Sequence, residues 1–176
     1  MHIPLLLGTA REGRQSEKAA IYMLEQIKKA GIETELVDVR NFLFGKTLAA
    51  WENPKEADPW RAIIKKSQAL IIVTPEYNHS FPGELKMLLD SLLPEYAGLP
   101  VGVCGVSSGG FGGARVIENI LPTLRKMGMV AISKSLNFSK IEEFFDDNGN
   151  PKNQSFEKQV KEFLAQLAEY AQKLKA

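Results

Sequence analysis

Short runs of consecutive apolar residues alternate along the chain with longer stretches in which apolar positions recur every three or four residues. Ile3–Leu7, Ala69–Val73 and Val101–Val106 are nearly uniform apolar runs, Glu33–Val39 alternates, and Val130–Ser133 is shorter. These are strand lengths. Between them, Ser16 with Glu17 opens a helical pattern with apolar positions at Ala20, Met23, Leu24 and Ile27, which Gly31 stops. Trp60–Lys66, Gly83–Leu93 after Pro82, about Ala114–Met127, and a long amphipathic Lys152–Lys175 predict four more helices. Leu48–Pro59, with Trp51, Pro54 and Pro59, reads as a long connection.

Five strands alternating with five helices predict an α/β fold: a doubly wound five-stranded parallel sheet in a three-layer αβα arrangement. Strands with one wet face would alternate apolar and polar residues, and most of these do not. No repeat, low-complexity segment or linker divides the chain, so a single domain over residues 1–176 is expected. In such sheets ligands bind beyond the carboxyl ends of the strands, where the strand order reverses. The loops after strands one, three and four are GTAREGRQS, TPEYNHSFPG and VSSGGFGGAR, and they are the three most unusual stretches of the chain.

The first loop offers hydroxyls at Thr9 and Ser16 and guanidinium groups at Arg11 and Arg14, and it feeds a helix N-terminus. Free N–H groups and the helix dipole favour an anion there. It is neither a G-x-x-x-x-G-K loop nor a G-x-G-x-x-G fingerprint, and the plain alternative is a serine cap beside solvated arginines. The loop after strand four carries GGFGG, which suits close approach of a flat ligand to the backbone; a mobile connecting turn is the alternative. In the loop after strand three, Pro75 helps to stop the strand. Glu76, Tyr77 and Asn78 then present polar groups at the crevice, and Pro82 with Gly83 starts the next helix.

Composition narrows the function class. A net charge of +1, with 44% hydrophobic and 24% charged residues, argues against disorder and against a nucleic-acid binder, which needs a basic stripe. The single Cys104 lies in the apolar VGVCGV run, reads as a buried structural thiol, and fits a reducing cytoplasm. The N-terminus lacks the basic region of a signal peptide, and no apolar stretch approaches the roughly 20 residues of a membrane span. A cytoplasmic protein is expected. Two histidines without carboxylate spacing suggest no metal site, and DDNGNP (Asp146–Pro151) reads as a turn because it lacks the glycine and glutamate of a calcium loop.

Together GTAREGRQSEKAA, TPEYNHSFPGELKMLLD and GVSSGGFGGARVIENILPTLRKMG resemble the NAD(P)H-dependent FMN reductases, a flavodoxin-like family that includes small quinone, chromate and azo-dye reductases. The resemblance covers about residues 3 to 150. It implies that the first loop holds the FMN phosphate through Thr9, Arg11, Gln15 and Ser16, with Arg14 in the same loop. It implies that Pro75, Glu76, Tyr77 and Asn78 lie along the isoalloxazine ring, and that Ser107, Ser108, Gly109 and Gly110 contact its other side. NADPH or NADH would reduce the flavin and a quinone or similar small acceptor would reoxidise it, in a ping-pong cycle that needs no acid–base residue. Amides of Asn78 and Ser108–Gly109 would stabilise charge on the reduced ring, and Tyr77, His79, Phe81 and Phe111 are candidates for the substrate pocket. The resemblance also implies a homodimer or homotetramer, with the helix after PEYN at an interface. Ser91 stands where an aromatic residue is frequent, which bears on that interface. A non-catalytic flavin-binding electron carrier or regulator is the alternative, although flavodoxins proper are strongly acidic. A phospho-receiver domain would need acidic residues where this chain reads GTAR and TPEYN.

Overall fold

A computed structural model describes residues 1–174, so the predicted helix end at Lys175 lies outside the described residues. The strands are β1 (Leu5–Leu7), β2 (Leu36–Asp38), β3 (Leu70–Pro75), β4 (Pro100–Val106), β5 (Val130–Ala131) and β6 (Leu136–Phe138). The helices are α1 (Ser16–Lys29), α2 (Asp58–Lys66), α3 (Gly83–Leu89), α4 (Ala114–Lys126) and α5 (Ser155–Lys173). All strand pairs are parallel, in the order β2-β1-β3-β4-β5, with β6 also paired to β4.

Strand residues alternate between two hydrophobic layers. Leu5, Leu7, Ile71, Val73, Cys104 and Val106 pack with α1 and α5, whereas Leu6, Leu70, Ile72, Val101 and Val103 pack with α2, α3 and α4. Both faces of the sheet are therefore covered, which is why its central strands need no polar positions. The approach of α5 depends on Gly102, where a Cβ would lie 2.4 Å from the Phe163 ring. Cys104 is fully buried, and burial pushes its thiol well above the usual range.

The departures from expectation have local causes. Pro4 lacks an N–H, so the regular β1 ladder starts at Leu5, although Ile3 N–H still donates to Glu33 O at 2.9 Å. β2 ends at Asp38 because Val39 enters a 3₁₀ turn capped by the Asp38 side chain, and it starts only at Leu36, with Glu33 upstream forming an isolated bridge to His2. β3 runs on through Thr74 to Pro75, which pairs with Val106, so Pro75 is the last residue of the strand. α3 ends at Leu89, and just beyond it the buried Ser91 hydroxyl donates to Leu88 O at 2.7 Å.

The fifth position of the sheet holds two segments where the sequence predicts one strand. Pro100 and Val101 pair with Val130 and Ala131, and Cys104 to Val106 pair with Leu136 to Phe138. Residues 132–135 therefore oppose only Gly102 and Val103, a bulge that re-aims the chain. The hydrophobic pattern does not predict Leu136–Phe138, since its polar neighbours mask the apolar pair. The segment matters because it carries the chain back across the end of the crevice.

Candidate functional site

β1 sends the chain to β2 on one side, and β3 lies on its other side, so the strand order reverses between β1 and β3. A crevice of about 360 Å³ opens there. Its walls are Arg11 and Gly13–Ser16 after β1, Pro75–Tyr77 at the end of β3, Val106–Ser108 at the end of β4, and Ile141 with Glu142 after β6.

The α1 end of the crevice gathers several unmet polar groups. Ser16 is buried and its Oγ has no partner among the described residues, and the buried Arg14 Nε and Gln15 Oε1 are likewise unpartnered. Backbone N–H groups of Gly13, Arg14 and Gln15 find no backbone acceptor among the described residues. Buried polar atoms are normally paired, and three of these unmet groups lie on consecutive residues of the crevice wall. The predicted alternative of a serine cap does not describe Ser16, because α1 has no side-chain cap hydrogen bond.

Arg14 is not a free cation. Its side chain is 1% exposed; Nη1 donates to Thr9 O at 2.6 Å and to Asp38 Oδ1 at 2.8 Å, and Nη2 meets Asp38 Oδ2 and Glu17 Oε1. Burial alone would raise the Asp38 carboxyl, but hydrogen bonds from Arg14 and the Arg40 N–H outweigh it and hold it below its ordinary value. Arg40 reaches back to Ala10 O and Arg11 O, which ties β2 to the first loop. Arg11 is exposed, with its guanidinium 5.7 Å from the Tyr77 ring centroid.

The loop after β3 folds as a two-residue hairpin. Tyr77 and Ser80 exchange two backbone hydrogen bonds of 2.9 Å around Asn78 (φ 49°) and His79 (φ 65°). Positive φ at both central positions is the type I′ pattern, which an asparagine tolerates well. The Glu76 carboxylate accepts from Arg115 N at 3.2 Å and Val116 N at 3.4 Å, so it caps α4 from a distant loop. Glu76→Ala is expected to lower stability by about 1 kcal/mol, as loss of a helix cap does, measurable by urea unfolding.

The glycine loop divides into two functions. Gly112 (φ 58°) and Gly113 (φ 78°) fold against Gly105 and Asn137, where added Cβ atoms would lie under 3 Å from backbone. Gly109 and Gly110 have open space about them, and the N–H groups of Ser108, Gly109 and Gly110 find no backbone acceptor among the described residues.

Of the residues singled out in the sequence, Arg11, Gln15, Ser16, Pro75, Glu76, Tyr77, Ser107 and Ser108 line the crevice, as does Arg14. Asn78, Gly109 and Gly110 are exposed at its rim. Thr9 is fully buried behind the wall, with its hydroxyl bonded to Glu84 and Tyr77. His79 lies beside α4 with Arg115 and Asn119, Phe81 packs into the core, and Phe111 is 68% exposed with the Arg115 guanidinium 4.9 Å from its ring centroid. The sequence reading does not single out Ile141, Glu142, Asp38, Arg40 or Glu84. Asp38 and Arg40 follow a strand end on the crevice side, which is a usable signal; Ile141 and Glu142 depend on β6, which the pattern conceals.

The sequence matches the model of a family described as NADPH-dependent FMN reductase over residues 1–143. It is 30% identical over 148 residues to an NAD(P)H-dependent FMN reductase of Pseudomonas aeruginosa, covering 81% of this chain and 80% of that protein. It is 48% identical over 124 residues to a quinone reductase of Escherichia coli K12, covering 65% of this chain and 64% of that protein. Among solved structures, the flavoenzyme NAD(P)H:(acceptor) oxidoreductase FerB of Paracoccus denitrificans superposes with a TM-score of 0.81 at 22% identity, over 98% of this chain and 97% of that one. A point mutant of the flavodoxin from Pseudomonas aeruginosa superposes at 0.60 and 21% identity over 100% of both chains. These structural likenesses establish the flavodoxin-like α/β fold.

Proposed function

Because the chain belongs to the NADPH-dependent FMN reductase family, we propose that residues 1–176 act as one FMN-binding domain that oxidises NADPH or NADH and reduces a quinone or similar small acceptor. The observation that carries this reading is the cluster of unpartnered buried polar atoms on Arg14, Gln15 and Ser16 at one end of the crevice. The donor set suits FMN. Ser16 Oγ, Arg14 Nε and the free amides of the first loop would hold the phosphate, with Arg11 adding positive charge. Gln15 Oε1 would accept from a ribityl hydroxyl.

Bound FMN would supply hydride chemistry, taking two electrons from the nicotinamide and passing them to the acceptor in a separate half-reaction. The protein would supply position and electrostatics. Pro75 to Tyr77 would wall one edge of the ring, and Ser107 and Ser108 the other. Free N–H groups of Asn78, Ser108 and Gly109 would stabilise negative charge on the reduced ring, as donors in an oxyanion hole do. Assembly as a homodimer or homotetramer through α3, and a cytoplasmic location, complete the reading; among the described residues no helix is long and apolar enough to cross a membrane.

The test is an absorption spectrum after addition of FMN and dialysis, followed by anaerobic NADPH and then a benzoquinone. A retained flavin band that bleaches and returns is the expected result. A protein that never retains FMN would overturn the reading, and one that retains FMN without turnover would be a carrier. Ser16→Ala is expected to weaken FMN binding by ~10–100-fold, the range for a lost hydrogen bond to a charged group, as read by flavin fluorescence quenching.

A further inference from the structure

Thr9 and Tyr77 stand on different loops, yet they share a hydrogen-bond chain that ends on α3. Tyr77 OH lies 3.2 Å from Thr9 Oγ1, which donates to Glu84 Oε1 at 3.0 Å. The same Glu84 oxygen accepts from Ala10 N at 2.8 Å. Thr9 Oγ1 also accepts from Arg11 N at 3.3 Å. With the threonine proton committed to the carboxylate, its oxygen is left as acceptor, so the chain runs Tyr77 to Thr9 to Glu84. Each donor polarises the next, and an ionised final acceptor strengthens the set.

Thr9 is fully buried and its hydroxyl is occupied, so in this arrangement it faces away from any ligand in the crevice. Tyr77, by contrast, lines the crevice, and the Arg11 guanidinium lies against its ring. The ring is thus held at its polar tip by Thr9 and on its face by Arg11. Glu84 sits in the first turn of α3, where the hairpin returns to the helix. It joins the Ala10 backbone of the first loop to the side-chain chain that ends on Tyr77.

We propose that Glu84 is a positioning residue: acting through Thr9, it fixes the Tyr77 ring at the crevice edge and so sets the fit of the nicotinamide co-substrate, leaving the phosphate end of the site to other groups. The proposal rests on the reading of the crevice as a flavin site. Its consequence is a division of labour along the first loop. Ser16 and Arg14 Nε serve the anion, and Thr9 serves the aromatic edge.

The experiment compares Glu84→Ala, Glu84→Gln, Tyr77→Phe and the Glu84→Ala/Tyr77→Phe double variant with the parent protein. FMN affinity is read by fluorescence quenching, and KM and kcat for NADPH are read with a benzoquinone acceptor at saturating FMN. Glu84→Ala and Tyr77→Phe are each expected to raise KM by ~5–10-fold, as loss of a buried hydrogen bond in a shared chain would, and Glu84→Ala should leave kcat and FMN affinity within about twofold. Glu84→Gln keeps an acceptor oxygen and should restore the parent KM. The double variant should be no worse than Glu84→Ala, since the two changes break one chain. Weakened FMN binding with unchanged KM, or additive effects in the double variant, would overturn the proposal. Tyrosine ring NMR on the flavin-free proteins provides a separate arm. A fixed Tyr77 ring in the parent and Glu84→Gln, and an averaging one in Glu84→Ala, supports the chain, and equal mobility in all three refutes it. If the parent retains no FMN, the flavin reading falls, and this arm still judges Glu84.

Discussion

Replacing Arg14 by Met is expected to lower stability by about 3–5 kcal/mol, the range for removing one partner of a buried ion pair. The guanidinium is almost wholly enclosed and makes both hydrogen bonds that bind Asp38 to the first loop. Methionine fills much of the space, so the loss is electrostatic: Asp38 is left with the Arg40 N–H and without its ionic partner. Thr9 O also loses its donor. The pH profile identifies the cause. In the folded protein the Asp38 carboxyl is held below its ordinary value, so the ion pair's contribution is complete above the unfolded value of about 3.9 and is lost as pH falls through the lower folded value. Urea midpoints of the parent should therefore rise as pH is raised toward about 4, and Arg14→Met should lose that part of the rise. A variant with parent stability at pH 7 would show that the pair is dispensable.

Gly113→Ala is the second large effect, with a loss of about 3 kcal/mol or more: a left-handed backbone costs an alanine about 1–2 kcal/mol, and the clash adds to it. The residue has φ 78°, and a Cβ would lie 2.6 Å from Val106 N and 2.8 Å from Gly105 C. Those neighbours are backbone atoms of β4, which cannot yield without breaking the ladder to β3. The displaced segment leads straight into α4 and would pull its first turn away from Glu76. Gly110→Ala is the control, since its Cβ meets nothing within 4 Å. Thermal unfolding of the two variants should separate by about 10 °C, given roughly 2–4 °C per kcal/mol for a chain of this size.

The contrast between these two glycines shows what the sequence can and cannot convey. GGFGG advertises an unusual backbone, and it follows directly on Ser107 and Ser108, which line the crevice. Which glycines pack closely and which stand in open space depends on Gly105 lying beneath, and no local pattern reveals that. The layered sheet is legible because Leu70–Val73 of β3 and all of β4 are apolar, as strands covered on both faces are. β6 is not, because LNF lies among serines and lysines and is recognisable only once β4 offers a free edge. In the site, the hydroxyl and guanidinium groups of the first loop are visible as donors, but their partners are not. Asp38 lies 24 residues from Arg14 and Glu84 lies 75 residues from Thr9. The fold therefore decides that Thr9 and Arg14 spend most of their hydrogen-bonding capacity on the scaffold, while Ser16 Oγ and Arg14 Nε, on residues that line the crevice, have no partner among the described residues.

The interrupted fifth position has a consequence for how copies of this chain meet one another. A parallel sheet ends in unpaired N–H and C=O groups, and a long flat border invites a foreign strand to add itself and begin an aggregate. Here one border is only Leu36 to Asp38, and the other is broken by the bulge at 132–135 into ladders of two and three residues. A newcomer finds no run long enough to hold its register. The irregularity thus guards the protein against sheet-to-sheet association.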